Sequence, residues 1–277
     1  MKVTIAIPFF KDEKYIKYAI QSVLNQTFTD WELILINDGG CDRSLEIAES
    51  FARKDPRIRV INDSQNKGLA YRLNETVKMA QGIYYARMDA DDIMYYKRIE
   101  EQVKYMDEHP QVDVVGCSAM LINAENEIVG SHDASCCKVG FLHPTVFGRT
   151  QWFIDNPYSV WCKRCQDKEL WLRTSSHSKF INIKEPLLFY REAGTVTFKK
   201  YLNSQKSNLQ ILRNFKNYNK SCMWYIKSAF KVYVGIVLYY ICSKLGAIDT
   251  LINKRKRLPL PAKVQLADED LKKSIYL

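Results

Sequence analysis

At 277 residues, 47% of them hydrophobic, the chain can bury one sizeable core and still carry an accessory segment. Its formal charge of +10 is uneven: Lys199 to Arg257 holds thirteen Lys/Arg and one acid, Asp249, leaving 28 bases against 30 acids elsewhere, so the body is near neutral, the tail is the cation, and nucleic acid is not an expected partner. The opening MKVTIAIPFF lacks the charged-then-apolar pattern of a secretory leader, which favours a cytosolic setting with the eight cysteines mostly free thiols.

In chain order, Val3 to Pro8 is a β-rich apolar run, and Glu13 to Asn25 places Ile16, Ala19, Ile20, Val23 and Leu24 at helical spacing. A second strand, Trp31 to Ile36, ends in the turn Asn37-Asp38-Gly39-Gly40, and Ser44 to Arg53 is helical. Ile58 to Ile61, Leu69 to Ala80 and Ile83 to Met88 continue as strand, helix and strand. Four such alternations predict a parallel sheet with helices on both faces, whose ligand sits outside the carboxyl ends of the strands. Pro8, Asp38 and the cluster Asp89-Ala90-Asp91-Asp92 fall at those ends, so three polar turns are expected to converge on one crevice. Further on, Val112 to Val115 suggests a strand, Cys117 to Val129 a strand pair around a turn, Lys168 to Arg173 part of a helix, and the chain from Tyr201 is helical.

Three carboxylates in four residues repel one another unless a cation neutralises them, and such oxygen donors suit Mg²⁺ or Mn²⁺ shared with a diphosphate. The alternative is a solvated acidic turn capping a helix that begins near Met94.

Pro8-Phe9-Phe10, the run Gln21 to Thr27, Trp31 to Gly39, Asn66-Lys67-Gly68-Leu69 and Met88-Asp89-Ala90-Asp91-Asp92 together resemble family 2 glycosyltransferases of the bacterial, non-processive type, over about residues 3 to 192. The resemblance implies a GT-A fold: a mixed, mostly parallel Rossmann-like α/β sheet flanked by helices, here with a helical C-terminal extension. It implies a nucleotide-sugar donor, with UDP favoured, and transfer with inversion to a glycan or lipid-linked acceptor in cell-surface polysaccharide synthesis. By the same resemblance Pro8 and Phe9 line the nucleotide pocket, Asp38 meets the uracil edge, Arg72 and Lys67 contact base or phosphates, Asp89 faces the ribose and Asp91 binds the Mn²⁺ or Mg²⁺. Gln166 to Arg173 matches the segment carrying the general base, which maps to Asp167, with Glu169 the nearest competitor; without the resemblance Asp167 reads as a helix N-cap. His143, Trp171 and Arg191 are expected on the acceptor side.

The match departs from the family in two places: Gly40-Cys41 replaces the usual Ser-Thr, and no histidine follows Tyr190-Arg191 in Glu192-Ala193-Gly194-Thr195, so a histidine metal ligand is not expected. The Gln-x-x-Arg-Trp segment of processive synthases is absent, which favours single-sugar addition. Cys162, Cys165, Cys136 and Cys137 could form a thiolate zinc site, but one CxxC without a matching second pair points to ordinary thiols. A sugar-nucleotide nucleotidyltransferase is the runner-up enzyme, disfavoured because Pro8-Phe9-Phe10-Lys11 stands where its Gly-rich phosphate loop belongs, and a dehydrogenase is disfavoured by the missing GxGxxG.

The expected division is a catalytic domain, 1–200, whose halves 1–110 and 111–200 bind donor and acceptor, and a basic extension, 201–277. Ala229 to Cys242 is apolar but falls short of the roughly 20 residues that span a bilayer. With Trp224, Tyr225, Tyr239, Tyr240 and the bases through Arg257, segment 224–257 has the composition of a peripheral anchor on an anionic membrane surface, at the inner face of the cell membrane. Packing on the catalytic body or in a homodimer is the alternative, and a non-catalytic membrane- or nucleic-acid-binding protein on the same scaffold is the competing functional class.

Overall fold

The computed structural model describes residues 1–134, 140–192, 197–247 and 261–276. β1 (Val3–Phe9) and β2 (Trp31–Asn37) are buried along their whole length, as continuous apolar runs covered on both faces should be. α1 (Ile16–Leu24), α2 (Ser44–Ala52), β3 (Ile58–Asn62), α3 (Leu69–Met79) and β4 (Tyr84–Arg87) complete the expected alternation. β3, β2, β1 and β4 lie in that order and parallel. The chain winds outward from β1 and then returns to its other side, so the order reverses between β1 and β4, and a crevice opens at their carboxyl ends.

The second half converts this parallel sheet into a mixed one of nine strands among the described residues. After β5 (Ile93–Met94) and α4 (Arg98–Glu108) come β6 (Val114–Ile122), β7 (Ile128–His132), β8 (Phe147–Arg149), α5 (Thr150–Asp155), α6 (Gln166–Thr174) and β9 (Phe180–Arg191). β8 inserts antiparallel between β4 and β6, while β9 runs parallel to β6 and antiparallel to β5. One core layer gathers Ile5, Ile7 and Phe9 with α1; the other gathers Ala6 and Tyr85 with Leu73, Trp152 and Trp171. Alternate side chains of one strand thus serve opposite faces.

Two expectations are corrected here. No helix begins near Met94: Ile93 and Met94 pair with Phe189 and Leu188 of β9, and the helix starts at Arg98. The strand pair of residues 117–129 begins earlier and ends later, because β6 is held on both edges by β9 and β7 and turns only at Asn123–Glu127.

The tail consists of α7 (Phe198–Arg213), α8 (Cys222–Lys244) and α9 (Pro261–Tyr276). Thr197 and Ser221 cap the first two by accepting from the backbone N–H three residues on. The apolar run of α8 sits inside a 23-residue helix, long and apolar enough to cross a membrane by length and composition, which corrects the expectation from the run alone. α7 and α8 stack through Tyr201 and Tyr239, ring centroids 3.8 Å apart. α9 returns to the α/β body, burying Ala267, Leu271 and Ile275 beside Ile93, Met120 and Phe189. There Asn25 Nδ2 donates to the Ser274 carbonyl (3.1 Å), and Tyr96 N donates to Ser274 Oγ (3.1 Å). Cys136-Cys137, the run Ala193 to Thr195 and the basic cluster Asn253 to Arg257 lie outside the described residues.

Candidate active site

Asp38 follows β2 at the crevice and is buried. Its Oδ1 accepts from Lys67 N (2.8 Å), Gly68 N (3.1 Å) and Arg72 Nε (3.0 Å), while among the described residues Oδ2 accepts only from Gly68 N (3.1 Å). Gly68, at φ +84°, lets both amides turn toward the carboxylate; an L side chain would be strained there. Arg72 is fully buried, and all five of its N–H groups are taken by Asp38, Asp63, Glu75 and the Gln65 carbonyl. The donors of Arg72 are thus all used within the chain, where they hold α3 onto β2 and β3, and the expected contact to base or phosphate would need one of these bonds to exchange. Lys67 Nζ likewise pairs with Asp63 (2.5 Å), whose carboxyl Arg72 and Lys67 hold far below the usual range. Pro8 and Phe9 are both buried in β1, with Phe9 in the core; the exposed side chain at that turn is Phe10.

The loop after β4 is organised in the opposite way. Asp89, Asp91 and Asp92 each place an oxygen within 4.8 Å of the others. Arg87, almost fully buried, grips both oxygens of Asp89. Asp92 Oδ1 accepts from Arg191 N (2.8 Å), but Oδ2 is buried without a partner among the described residues. Burial first, then Asp89 and Asp12, push the Asp91 carboxyl up to about 6, and burial with the neighbouring carboxylates pushes Asp92 well above its ordinary value. Arg191 offsets their charge only at a distance, because its guanidinium bonds to the carbonyls of Asp91 (2.7 Å) and Asn123 (2.5 Å) and to Asn126 Oδ1 (2.5 Å) and to no carboxylate among the described residues. A compact set of hard oxygens with an orphaned lone pair and an excess of negative charge fits Mn²⁺ or Mg²⁺.

Asp167 stands in the first turn of α6. Burial raises its carboxyl, opposed by the Lys168 backbone and by the charge of Arg87. Glu169 is buried and held by Arg173 (Nε to Oε1 3.0 Å), so Asp167 is the acid of that turn left available. His143 Nε2 lies 3.0 Å from Tyr158 Oη, and burial plus Arg87 push its pKa well below the ordinary histidine range, which keeps the ring neutral. Two of the residues expected on the acceptor side make their contacts within the chain. Trp171 is 2% exposed and packed edge-on against Phe141, so the core claims it, and Arg191 braces the Asp91 loop from β9.

Three residues at the site were not singled out from the sequence. Asp12, whose Oδ2 accepts from Phe10 N (2.8 Å), adds a fourth carboxylate to the field of Asp91. Arg87 acts electrostatically on Asp92, His143, Tyr158 and Asp167, joining the Asp91 loop to α6. Tyr158 fixes His143. Arg87 alone left a signal, a charge at the end of a strand otherwise buried.

A carboxylate cluster at the switch point of a parallel sheet, with a second, mixed half closing over it, defines a GT-A glycosyltransferase fold. The family model for Glycosyl transferase family 2 matches residues 4–171, and the chain belongs to that family. It is 32% identical over 204 residues to the glycosyltransferase EpsE of Bacillus subtilis, covering 69% of this chain and 73% of that one. It is 29% identical over 268 residues to an uncharacterized glycosyltransferase of Methanocaldococcus jannaschii, covering 91% and 92%. Residues 1–349 of S. aureus TarS, solved with UDP-GlcNAc, share the fold at a TM-score of 0.66 and 17% identity, over 84% of this chain and 72% of that one. Against full-length TarS the match spans 43% of that chain. The mannosyltransferase PcManGT from Pyrobaculum calidifontis, solved with GDP-Man and Mn²⁺, matches at 0.58 and 14% identity, over 97% and 79%.

Proposed function

We propose that the chain transfers one sugar from a nucleotide-sugar donor, with UDP as the nucleotide, to a hydroxyl of a glycan or lipid-linked acceptor, with inversion at the transferred carbon. The observation that carries this reading is the Asp89-Asp91-Asp92 cluster at the switch-point crevice, in which Arg87 pairs with Asp89 alone and Asp91 and Asp92 stay in excess, with the charge of the same Arg87 reaching Asp167. The neighbours' ligands, UDP-GlcNAc in TarS and GDP-Man with Mn²⁺ in PcManGT, support a nucleotide-sugar donor and a divalent ion.

Asp91 would hold the ion, with Asp89 and Asp92 beside it. A bound divalent ion supplies the charge that stabilises the departing diphosphate. Asp38 has one oxygen, Oδ2, with capacity for a base N–H, and Asp38 N donates to the Phe9 carbonyl (2.9 Å), which ties the turn to β1, where Pro8 is also buried. On the acceptor side Asp167 takes the hydroxyl proton as the acceptor oxygen bonds to the sugar carbon and the bond to the diphosphate breaks, its electrons leaving with the nucleotide. Burial that raises the Asp167 carboxyl brings it nearer neutrality as a base. Direct displacement needs one carboxylate near the acceptor hydroxyl and no covalent intermediate, and with Glu169 held by Arg173 that role falls to Asp167.

The α7–α8 hairpin supports attachment to an anionic, cytoplasmic leaflet. Apolar side chains are exposed around much of α8, Met223, Ile226, Phe230, Tyr233, Val237, Leu238, Tyr240 and Ile241 each by more than 40%, with Lys227 and Lys231 among them. Because α8 stacks on α7, which carries Lys199, Lys200 and Lys206, the helix reads as lying on the bilayer rather than crossing it. Calorimetry of UDP-sugar binding with and without Mn²⁺, paired with turnover on a membrane-extracted acceptor, tests the proposal; donor binding indifferent to the ion would overturn it.

A further inference from the structure

β4 and β8 form a short antiparallel ladder, Tyr84 to Ala86 against Arg149 to Phe147, closed by Arg87 N donating to the Val146 carbonyl (3.0 Å). Beyond that bond the two chains part: one runs forward to Asp89, Asp91 and Asp92, the other back to Thr145 and His143. The carbonyls at this fork are met from α4. Arg98 Nη2 donates to the carbonyls of Arg87 (3.1 Å) and Val146 (3.4 Å), Arg98 Nε to Gln102 Oε1 (2.9 Å), and Gln102 Nε2 to the Thr145 carbonyl (3.0 Å). Arg98, Gln102 and Thr145 are all fully buried.

Seating α4 does not require a cation here. The start of the helix is already fixed by Gln26, whose Oε1 accepts from Ile99 N (3.0 Å) and whose Nε2 donates to the Tyr95 carbonyl (2.8 Å), and Ile99, Val103 and Met106 pack in the core. Among the described residues no carboxylate pairs with Arg98, and its Nη1 is buried without a partner. Burial pushes the guanidinium down to about 10, with the charge of Arg87 adding to the shift. As the first residue of α4 it also stands where the helix dipole disfavours positive charge. An unpaired buried cation costs stability that an apolar side chain of similar length would not. What it alone supplies is a rigid, planar fork of donors, able to hold two carbonyls and a side-chain amide at once.

We propose that Arg98, with Gln102, is a positioning residue of the transfer reaction: it locks the fork between β4 and β8, so that the carboxylate loop and the His143 loop keep one fixed register. The inference rests on reading the Asp89-Asp91-Asp92 loop as the donor's metal side and His143 as part of the acceptor side. Each loop keeps its own internal bonds without the clamp, so donor binding survives its loss. The rate does not, because a displacement of about 1 Å between reacting groups costs about 10²-fold.

The test compares the wild-type chain with Arg98→Lys, which keeps the charge but loses the fork, and with Gln102→Glu, which keeps the acceptor for Arg98 Nε but loses the donor to Thr145. His143 reports the register. Its ring NMR signals, assigned by their loss in His143→Gln, are recorded without metal, with UDP and Mg²⁺, and with UDP and paramagnetic Mn²⁺, whose line broadening falls steeply with distance. In the wild type Mn²⁺ should broaden the His143 signals. In both variants UDP affinity with Mn²⁺ should stay within about threefold of wild type. The His143 signals should shift already in the metal-free variants, their broadening by Mn²⁺ should change, and turnover on a membrane-extracted acceptor should fall by about 10²-fold. If Arg98→Lys does not fold, Gln102→Glu carries the test alone. Wild-type broadening and turnover per folded molecule in a variant that merely melts lower would make the pair architectural and overturn the proposal. A parallel loss of UDP affinity, or wild-type His143 signals that Mn²⁺ leaves sharp, would overturn it too. Absence of UDP binding by the wild-type protein would instead sink the donor reading on which the inference rests.

Discussion

The entrance of α3 and the loop after β4 are both rich in carboxylates, and they solve the resulting electrostatics in opposite ways. Around Arg72, Asp38, Asp63 and Glu75 surround one guanidinium whose donors are all used. Around Asp91 the acids face one another, Arg87 satisfies only Asp89, and Asp92 keeps a buried oxygen without a partner among the described residues. Buried charge that is fully paired belongs to the architecture; buried charge left in excess is held for something outside the chain. The contrast separates residues that a motif alone groups together.

Substitutions on the excess side should act on chemistry, and the largest effect belongs to Asp91→Asn. Removing the carboxylate that would hold the ion should lower turnover by about 10³-fold or more and abolish the Mn²⁺ dependence of donor binding, read by steady-state rates and calorimetry. Retention of the Mn²⁺ response would move the ion to Asp89 or Asp92. Asp167→Asn should lower turnover by about 10²–10⁴-fold with donor affinity intact. Glu169→Gln, which only loosens the pair with Arg173, should leave the rate of the folded protein close to wild type; the reverse ranking would exchange the two assignments.

On the paired side the readout is stability. Arg72→Met takes the guanidinium from the buried Asp38 and the half-buried Glu75, while the exposed Asp63 keeps Lys67, and should remove about 1–3 kcal/mol in urea unfolding. If Arg72→Met kept its stability and lost UDP affinity instead, the guanidinium would be a donor contact and the contrast would collapse.

The smallest effect concerns pH. The folded-state carboxyl of Asp91, at about 6, lies above its ordinary 3.8, so ionising it disfavours the folded, metal-free protein above that pH. Stability of the metal-free protein should therefore rise, on the order of 1–3 kcal/mol from this group, as pH falls from about 6 toward about 4. Mn²⁺ should reverse the trend, because it binds the ionised form. Melting curves of wild type and Asp91→Asn across that range should differ in slope; parallel curves would mean that the cluster is already neutralised.

The sequence by itself determined the alternation from β1 to β4, because strands covered on both faces need unbroken apolar runs, and these stand out between polar turns. It likewise determined that Asp38 and the 89–92 acids meet at one crevice, since both follow the carboxyl ends of parallel strands. Only the tertiary structure decided what those residues bind. Arg72 became an anchor through Asp38, 34 positions away, and Arg191 became a brace through Asp91, 100 positions away. Ile93-Met94 became a strand because β9 pairs with it, and α9 joined the α/β body through Asn25 and Tyr96. Local periodicity reports which face of an element is apolar, but whether a charge is satisfied depends on partners that chain folding alone brings within hydrogen-bonding distance.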